Sequence, residues 1–116
     1  MDILELLRRR VVVGHRGFPR RELENTLPSI EAAINSGADV VEVDVQVTAD
    51  GVPVLSHDDN LGRTFGIPLN VRSATWGEVR KVERGRYRVP TLREALELVA
   101  GRVGMFVEVK HAEDAP

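Results

Sequence analysis

The stretch Val40-Val41-Glu42-Val43-Asp44-Val45-Gln46-Val47 decides the fold. Its residues alternate without a break. Val41, Val43, Val45 and Val47 point one way, and Val40, Glu42, Asp44 and Gln46 the other. A period of two in a run of β-branched residues is a strand. The odd face is wholly apolar and has to pack on something. The even face carries two carboxylates side by side, which repel each other unless a cation lies between them. A divalent metal is the usual reason for that arrangement. A solvated polar face on a half-exposed strand fits the same residues.

Upstream of this strand, Gly37 closes a helix that opens at Asn25-Thr26-Leu27-Pro28. Asn25 or Thr26 suits the N-cap, and proline is tolerated in the first turn. Leu27, Ile30, Ala33 and Ile34 form its apolar stripe. Before it, residues 18–24 read as a polar loop. Val11-Val12-Val13 reads as a short buried strand running into Gly14-His15-Arg16-Gly17. The flanking glycines suit a tight strand-to-loop junction. A histidine after a strand is often structural, but Arg16 brings a fork suited to phosphate or carboxylate. Strand, helix and strand in succession form a βαβ unit with parallel pairing.

Downstream, Ala49-Asp50-Gly51 turns the chain into Val52-Pro53-Val54-Leu55-Ser56, a hairpin continuation that brings His57 back toward Glu42 and Asp44. Asp58 stands beside His57 and could orient its ring. Residues 60–71, with Gly62, Gly66 and Pro68, read as a lid-like irregular segment. Thr75-Trp76-Gly77-Glu78 and Thr91-Leu92-Arg93-Glu94 are capping boxes that start two helices, the second ending at Gly101. Trp76 reads as packing, and residues 83–88 as a solvated turn. Met105-Phe106-Val107-Glu108-Val109-Lys110 is the last strand, with Glu108 facing inward and Lys110 two residues on. His111 reads as part of a solvent-exposed tail.

Composition excludes several classes. The 116 residues suffice for one small domain with a modest core. A net charge of −2 makes no electrostatic case for nucleic acid. There are no cysteines, so disulfides and thiolate metal sites are excluded and a cytoplasmic location is expected. No apolar run reaches the ~18 residues of a membrane span, so no stable membrane insertion is expected. The first ten residues read as a short amphipathic helix rather than a signal peptide, because Arg8-Arg9-Arg10 follows the apolar core.

Taken together, the strand ends supply His15 and Arg16, then Glu42 and Asp44, then His57, then Glu108 and Lys110. Polar groups gathered at the carboxyl ends of parallel strands are how β/α barrels build active sites. Three carboxylates suit a hard cation such as Mg²⁺ or Ca²⁺. Two histidines suit general acid–base work, and Arg16 and Lys110 suit an anionic group. No nucleophile signature accompanies them.

At these residues the chain resembles the glycerophosphodiester phosphodiesterase family. The resemblance rests on His15-Arg16-Gly17, Glu24-Asn25-Thr26, Glu42-Val43-Asp44, His57-Asp58 and Glu108-Val109-Lys110, in order over nearly the whole chain. It implies a metal-dependent hydrolase that cleaves small-molecule glycerophosphodiesters to glycerol 3-phosphate and an alcohol. It further implies that Glu42, Asp44 and Glu108 hold the metal, Mg²⁺ or Ca²⁺. His15 and His57 would do the acid–base work, and Arg16 would hold the phosphate. In the course so implied, the substrate's own glycerol hydroxyl attacks phosphorus, and the cyclic phosphate is then hydrolysed. One departure is Gly62, where the family commonly has Asp.

The fold expected is α/β: an incomplete (β/α)8 TIM-type barrel holding the first three barrel strands, their connecting helices and a short hairpin and lid insertion. Residues 1–116 would be the amino-terminal part of a single barrel domain, since a full barrel takes about 200 residues or more. Such a half barrel leaves a strand edge open. Weak activity of the chain alone and self-association through that edge are therefore expected. A non-catalytic phosphate-ester-binding or assembly module, and a phosphodiesterase acting on lysophospholipids, are the alternatives.

Overall fold

A computed structural model describes residues 11–111. The amphipathic helix expected over the first ten residues lies outside the described residues. In chain order the elements are β1 (Val13–His15), α1 (Leu27–Asn35), β2 (Val40–Val47), β3 (Pro53–Leu55), α2 (Gly62–Phe65), a 3₁₀ turn (Val71–Ser73), α3 (Trp76–Val79), β4 (Glu83–Arg84), β5 (Tyr87–Arg88), α4 (Leu92–Val99) and β6 (Gly104–Val109).

The alternating stretch is the central strand. β1 pairs parallel with residues 40–42 and puts His15 opposite Glu42. β3 pairs antiparallel with residues 45–47, so it continues along the edge that β1 leaves. β6 takes the other edge, parallel over residues 40–45, and puts Glu108 opposite Asp44. β1, β2 and β6 are thus three neighbouring parallel strands, with β3 the antiparallel arm of the expected hairpin. The sheet and its helices form part of a β/α barrel, as expected.

The odd face of β2 packs as its composition demands. Val41, Val43 and Val45 join Ile30 and Ala33 of α1, Leu55, and Ala95 and Val99 of α4 in one buried cluster. Each valine, leucine or isoleucine among them stabilises the fold by about 1.5–3 kcal/mol when fully buried. A second cluster lies under the inserted segment and contains Val54, Leu61, Phe65, Val71, Val79 and Val89. Trp76 packs partly buried against it. β3 serves both clusters, because its successive side chains point to opposite faces. Its other side is held by residues just ahead of α4: Val54 bridges Thr91, and Leu55 N–H donates to Pro90 O at 3.0 Å.

Helix ends follow the local signals. α3 and α4 start at complete capping boxes on Thr75 and Thr91. Gly37 (φ 95°) and Gly101 (φ 72°) follow the ends of α1 and α4. α1 departs from the expectation. Thr26 holds the N-cap position but makes no side-chain cap; its hydroxyl donates instead to Leu23 O at 2.6 Å.

Two further expectations need correction. The first strand lies two residues later than the valine run, and it is not buried: Val12 and Val13 are 54% and 45% exposed. Pairing sets the shift. Val12 N–H donates to the Asp39 carboxylate at 2.9 Å, and its carbonyl accepts from the N–H groups of Asp39 and Val40. The ladder therefore begins at Val13. Residues 83–88, expected as a plain turn, form a two-stranded antiparallel ribbon. No helix among the described residues is long and apolar enough to cross a membrane.

Candidate active site

The loop after β1 sets the first site residues. Arg16 N–H still bonds Glu42 O at 2.8 Å, so the chain tracks β2 for one residue beyond the strand. It then turns sharply, with Arg16 at φ 56° and Gly17 at φ 86°. Ser29 of α1 is the post around which it turns. Its hydroxyl donates to Arg16 O at 3.1 Å and accepts from Phe18 N–H at 2.7 Å. No side chain fits at residue 17, where a Cβ would lie 2.3 Å from Ser29 Oγ.

Glu42, Asp44 and Glu108 converge. Each offers a carboxylate oxygen within 4.8 Å of the others. Strand register is the cause: residues 42 and 44 share a face of β2, and Glu108 lies beside Asp44 on β6. Asp44 is fully buried and Glu42 nearly so, while the Glu108 side chain is 57% exposed on the open side of β6.

Asp44 is the hub. Asn25 holds it twice: Nδ2 donates to Asp44 Oδ2 at 3.0 Å, and Oδ1 accepts from Asp44 N–H at 3.2 Å. Arg16 Nε lies 3.2 Å from Oδ2, and Lys110 Nζ lies 3.1 Å from Oδ1 and 3.3 Å from Glu108 Oε1. Burial pushes the Asp44 pKa up, but Asn25, Lys110 and Arg16 outweigh it and hold the group below the ordinary range. Glu42 goes the other way, raised by burial and by the neighbouring Asp44 charge. Lys110 stays charged: burial lowers its pKa, and Asp44 and Glu108 more than restore it.

The acids fit a hard cation. Both carboxylate oxygens of Glu42 are buried without an aligned hydrogen-bond donor, whereas Oδ1 of Asp44 faces the Lys110 ammonium. His15 Nδ1 lies 2.6 Å from Glu42 Oε2. Buried bare oxygens are costly unless something cationic faces them. An all-oxygen set is the donor chemistry that Mg²⁺ and Ca²⁺ take.

Of the expected imidazoles, His15 lies against Glu42, and His57 is anchored to β2 through backbone contacts. His15 is 64% exposed beside Glu42. His57 follows Ser56, whose N–H bonds Asp44 O at 3.0 Å, and its own carbonyl accepts from Gln46 Nε2 at 3.2 Å. His57 Nδ1 lies 2.8 Å from Asp58 Oδ1. Arg63 first and His57 second hold the Asp58 pKa down to about 2, so its carboxylate only accepts. Nδ1 of His57 must then carry the proton, leaving Nε2 bare when the ring is neutral.

Several residues of the site were given no role in it from the sequence. Asn25 reads as a helix cap but sits at φ 53° and holds Asp44. The signal open to a sequence reading is that asparagine adopts the left-handed region more readily than other non-glycine residues. Arg63, on α2, reaches Glu24 with Nη1 at 2.7 Å and Nη2 at 3.0 Å, and Asp58 with Nε at 2.8 Å. Glu24 in turn lies 3.4 Å from Arg16 Nη1. At Gly62 a Cβ would meet Asn60 Oδ1 at 2.9 Å, so Asn60 takes the space a larger residue would need. His111 corrects its expectation: it is half-buried, with Nε2 3.0 Å from Asp59 Oδ1. A broad groove of about 1300 Å³ lies elsewhere, between the start of α1, α3 and the β4–β5 ribbon, and none of the expected site residues lines it.

The chain is similar to known proteins in sequence and in fold. Residues 15–116 match the glycerophosphoryl diester phosphodiesterase family. A glycerophosphodiester phosphodiesterase from Bacillus altitudinis is 36% identical over 107 residues, covering 85% of this chain and 44% of the relative. Among solved structures, a glycerophosphodiester phosphodiesterase from Thermotoga maritima superposes with a TM-score of 0.83 at 39% identity, over 91% of this chain and 46% of that one. An Oleispira antarctica phosphodiesterase, solved with its product sn-glycerol-3-phosphate, gives 0.84 at 32% identity, over 90% of this chain and 46% of that one. The chain spans less than half the length of these relatives.

Proposed function

The chain belongs to the glycerophosphoryl diester phosphodiesterase family, and from that premise we propose that its site hydrolyses small-molecule glycerophosphodiesters to glycerol 3-phosphate and an alcohol. The observation that carries the reading is the convergence of Glu42, Asp44 and Glu108, with Arg16 and Lys110 on Asp44 and His15 against Glu42.

Glu42, Asp44 and Glu108 would hold a divalent cation, Mg²⁺ or Ca²⁺, which supplies Lewis-acid stabilisation of charge on the phosphoryl oxygens. Asn25, Arg16 and Lys110 keep Asp44 ionised and fixed for that task. The Arg16 guanidinium, with donors beyond those it spends on Asp44 and Glu24, binds the phosphate. Lys110 adds a second positive charge. One of His15 and His57 takes the proton from the attacking hydroxyl of the glycerol moiety, and the other gives a proton to the departing alcohol oxygen. Water then opens the cyclic phosphate with the two roles exchanged. Asp58 prepares His57 by fixing the proton on Nδ1.

The test is hydrolysis of glycerophosphocholine with added Mg²⁺ or Ca²⁺ and with a chelator. Metal-dependent release of glycerol 3-phosphate, lost in Asp44→Ala, is expected. Turnover that survives both chelation and Asp44→Ala sinks the reading. The cysteine-free sequence suits the cytoplasm as the setting.

A second reading has its own observation. Phe106 (59% exposed) and Val107 (40% exposed) lie on β6, whose outer edge has no partner among the described residues. An open apolar edge favours pairing with another copy. On this reading the chain binds phosphate esters without turnover and assembles through β6. Sedimentation of the chain beside the turnover assay separates the two.

A further inference from the structure

We propose that Arg63 is a positioning residue that locks the ring of His57 and the guanidinium of Arg16 into one frame. The proposal rests on the phosphodiesterase reading for its catalytic consequence, but not for its geometry.

Every nitrogen of the Arg63 guanidinium is used. Nη1 and Nη2 grip the two oxygens of Glu24 at 2.7 and 3.0 Å. Nε and Nη2 grip the two oxygens of Asp58 at 2.8 and 3.3 Å. From Asp58 the chain of contacts passes to His57 Nδ1 at 2.8 Å. From Glu24 it passes to Arg16 Nη1 at 3.4 Å, and Arg16 Nε lies 3.2 Å from Asp44. One fork therefore joins the loop after β1 to the loop after β3, and through them the imidazole to the phosphate-binding arm.

The segment bearing Arg63 is built to hold it there. α2 is one turn long, yet Leu61 before it and Phe65 within it are buried in the second cluster. Arg84 Nη1 also donates to Thr64 O at 3.0 Å. Arg63 itself is half exposed and is the charged residue of this turn. Without it, Glu24 and Asp58 would be two carboxylates facing each other with no cation between them. Asp58 would then swing toward water and release the imidazole. Lysine cannot replace the fork, because a single ammonium cannot satisfy two carboxylates at once in fixed planes.

The experiment uses this chain with ¹⁵N-labelled histidine, as the parent, Arg63→Gln and Arg63→Lys. Long-range ¹H–¹⁵N correlations are read at a pH where the His57 ring is neutral. In the parent, His57 shows one tautomer, with Nδ1 protonated and Nε2 bare. In Arg63→Gln, both nitrogen shifts move toward the averaged values of a mixed tautomer, while His111, bonded to Asp59, stays in place as the internal reference. Arg63→Lys falls between the two. In the turnover assay kcat drops on the order of tenfold to a hundredfold with little change in KM. His57 shifts that superimpose in parent and variant overturn the proposal, as does an unchanged kcat in an active parent. A parent with no turnover counts against the phosphodiesterase reading alone, and the tautomer still decides the clamp. If Arg63→Gln does not fold, Arg63→Lys, which keeps the charge but not the fork, is read the same way.

Discussion

Asn25 and Asp44 hold each other at two points, the Asn25 amide donating to the carboxylate at 3.0 Å and accepting from the Asp44 backbone N–H at 3.2 Å. Both residues are buried. Asn25→Ala removes both bonds and strands a buried N–H, which costs about 1–3 kcal/mol. It also lets the carboxylate rotate, so Mg²⁺ or Ca²⁺ affinity should fall about 10–100-fold. Chemical denaturation and calorimetric titration check the two effects separately. Unchanged metal affinity would remove Asn25 from the site.

Glu42 gives a trade between stability and function. Its pKa is raised by burial and by Asp44, so the folded chain without metal binds a proton there more readily than the unfolded chain does. Stability without metal should therefore fall as pH rises from the ordinary Glu range through the raised value. Glu42→Gln should abolish that slope and leave the metal-free chain at least as stable, while divalent-cation binding is lost. Thermal unfolding in chelator across pH, with calorimetry beside it, decides. A metal-free parent that gains stability through that window would contradict the assignment.

Asp58 has the opposite sign. Its pKa is held down to about 2 by Arg63 and His57. The stabilisation is present above the unfolded value of 3.8 and disappears as pH falls toward 2. Partial exposure and salt screening limit it to about 1 kcal/mol. Arg63→Gln should flatten this acid limb and leave stability at pH 7 lower by a similar amount. An acid limb identical in parent and variant would mean that the pair contributes nothing.

Two glycines with nearly the same φ should respond differently. Gly17 (φ 86°) has Ser29 Oγ 2.3 Å from where a Cβ would stand, whereas Gly51 (φ 88°) has nothing within 4 Å. Gly51→Ala meets backbone strain alone, about 1–2 kcal/mol. Gly17→Ala must also displace the serine that shapes the Arg16 turn, so a loss above about 3 kcal/mol is expected. Equal losses in denaturant melts would show that Ser29 is free to move.

Much of this architecture was legible because single local signals fixed it. The valine alternation of β2, the capping boxes at Thr75 and Thr91, and the glycines after α1 and α4 each depend on neighbours in sequence. The convergence of Glu42, Asp44 and Glu108 followed from strand period and motif order. The misses depend on partners far along the chain. The start of β1 is set by Asp39, twenty-seven residues beyond Val12. Asn25 looks like a cap until Asp44 is placed beside it. Arg63 lies in a segment with no periodicity, and its role appears only when Glu24, thirty-nine residues away, is folded against it. His111 looked like tail because its partner, Asp59, belongs to another loop.

β3 is only three residues long, yet Val54 points into one apolar cluster and Leu55 into the other. It acts as a strut shared by two rooms of the building. A cavity opened on either side would be felt at the next residues down the chain, which lead to His57. Substitutions under the insertion would thus be read out in the orientation of the His57 ring. The insertion cannot drift freely in sequence while the imidazole keeps its aim.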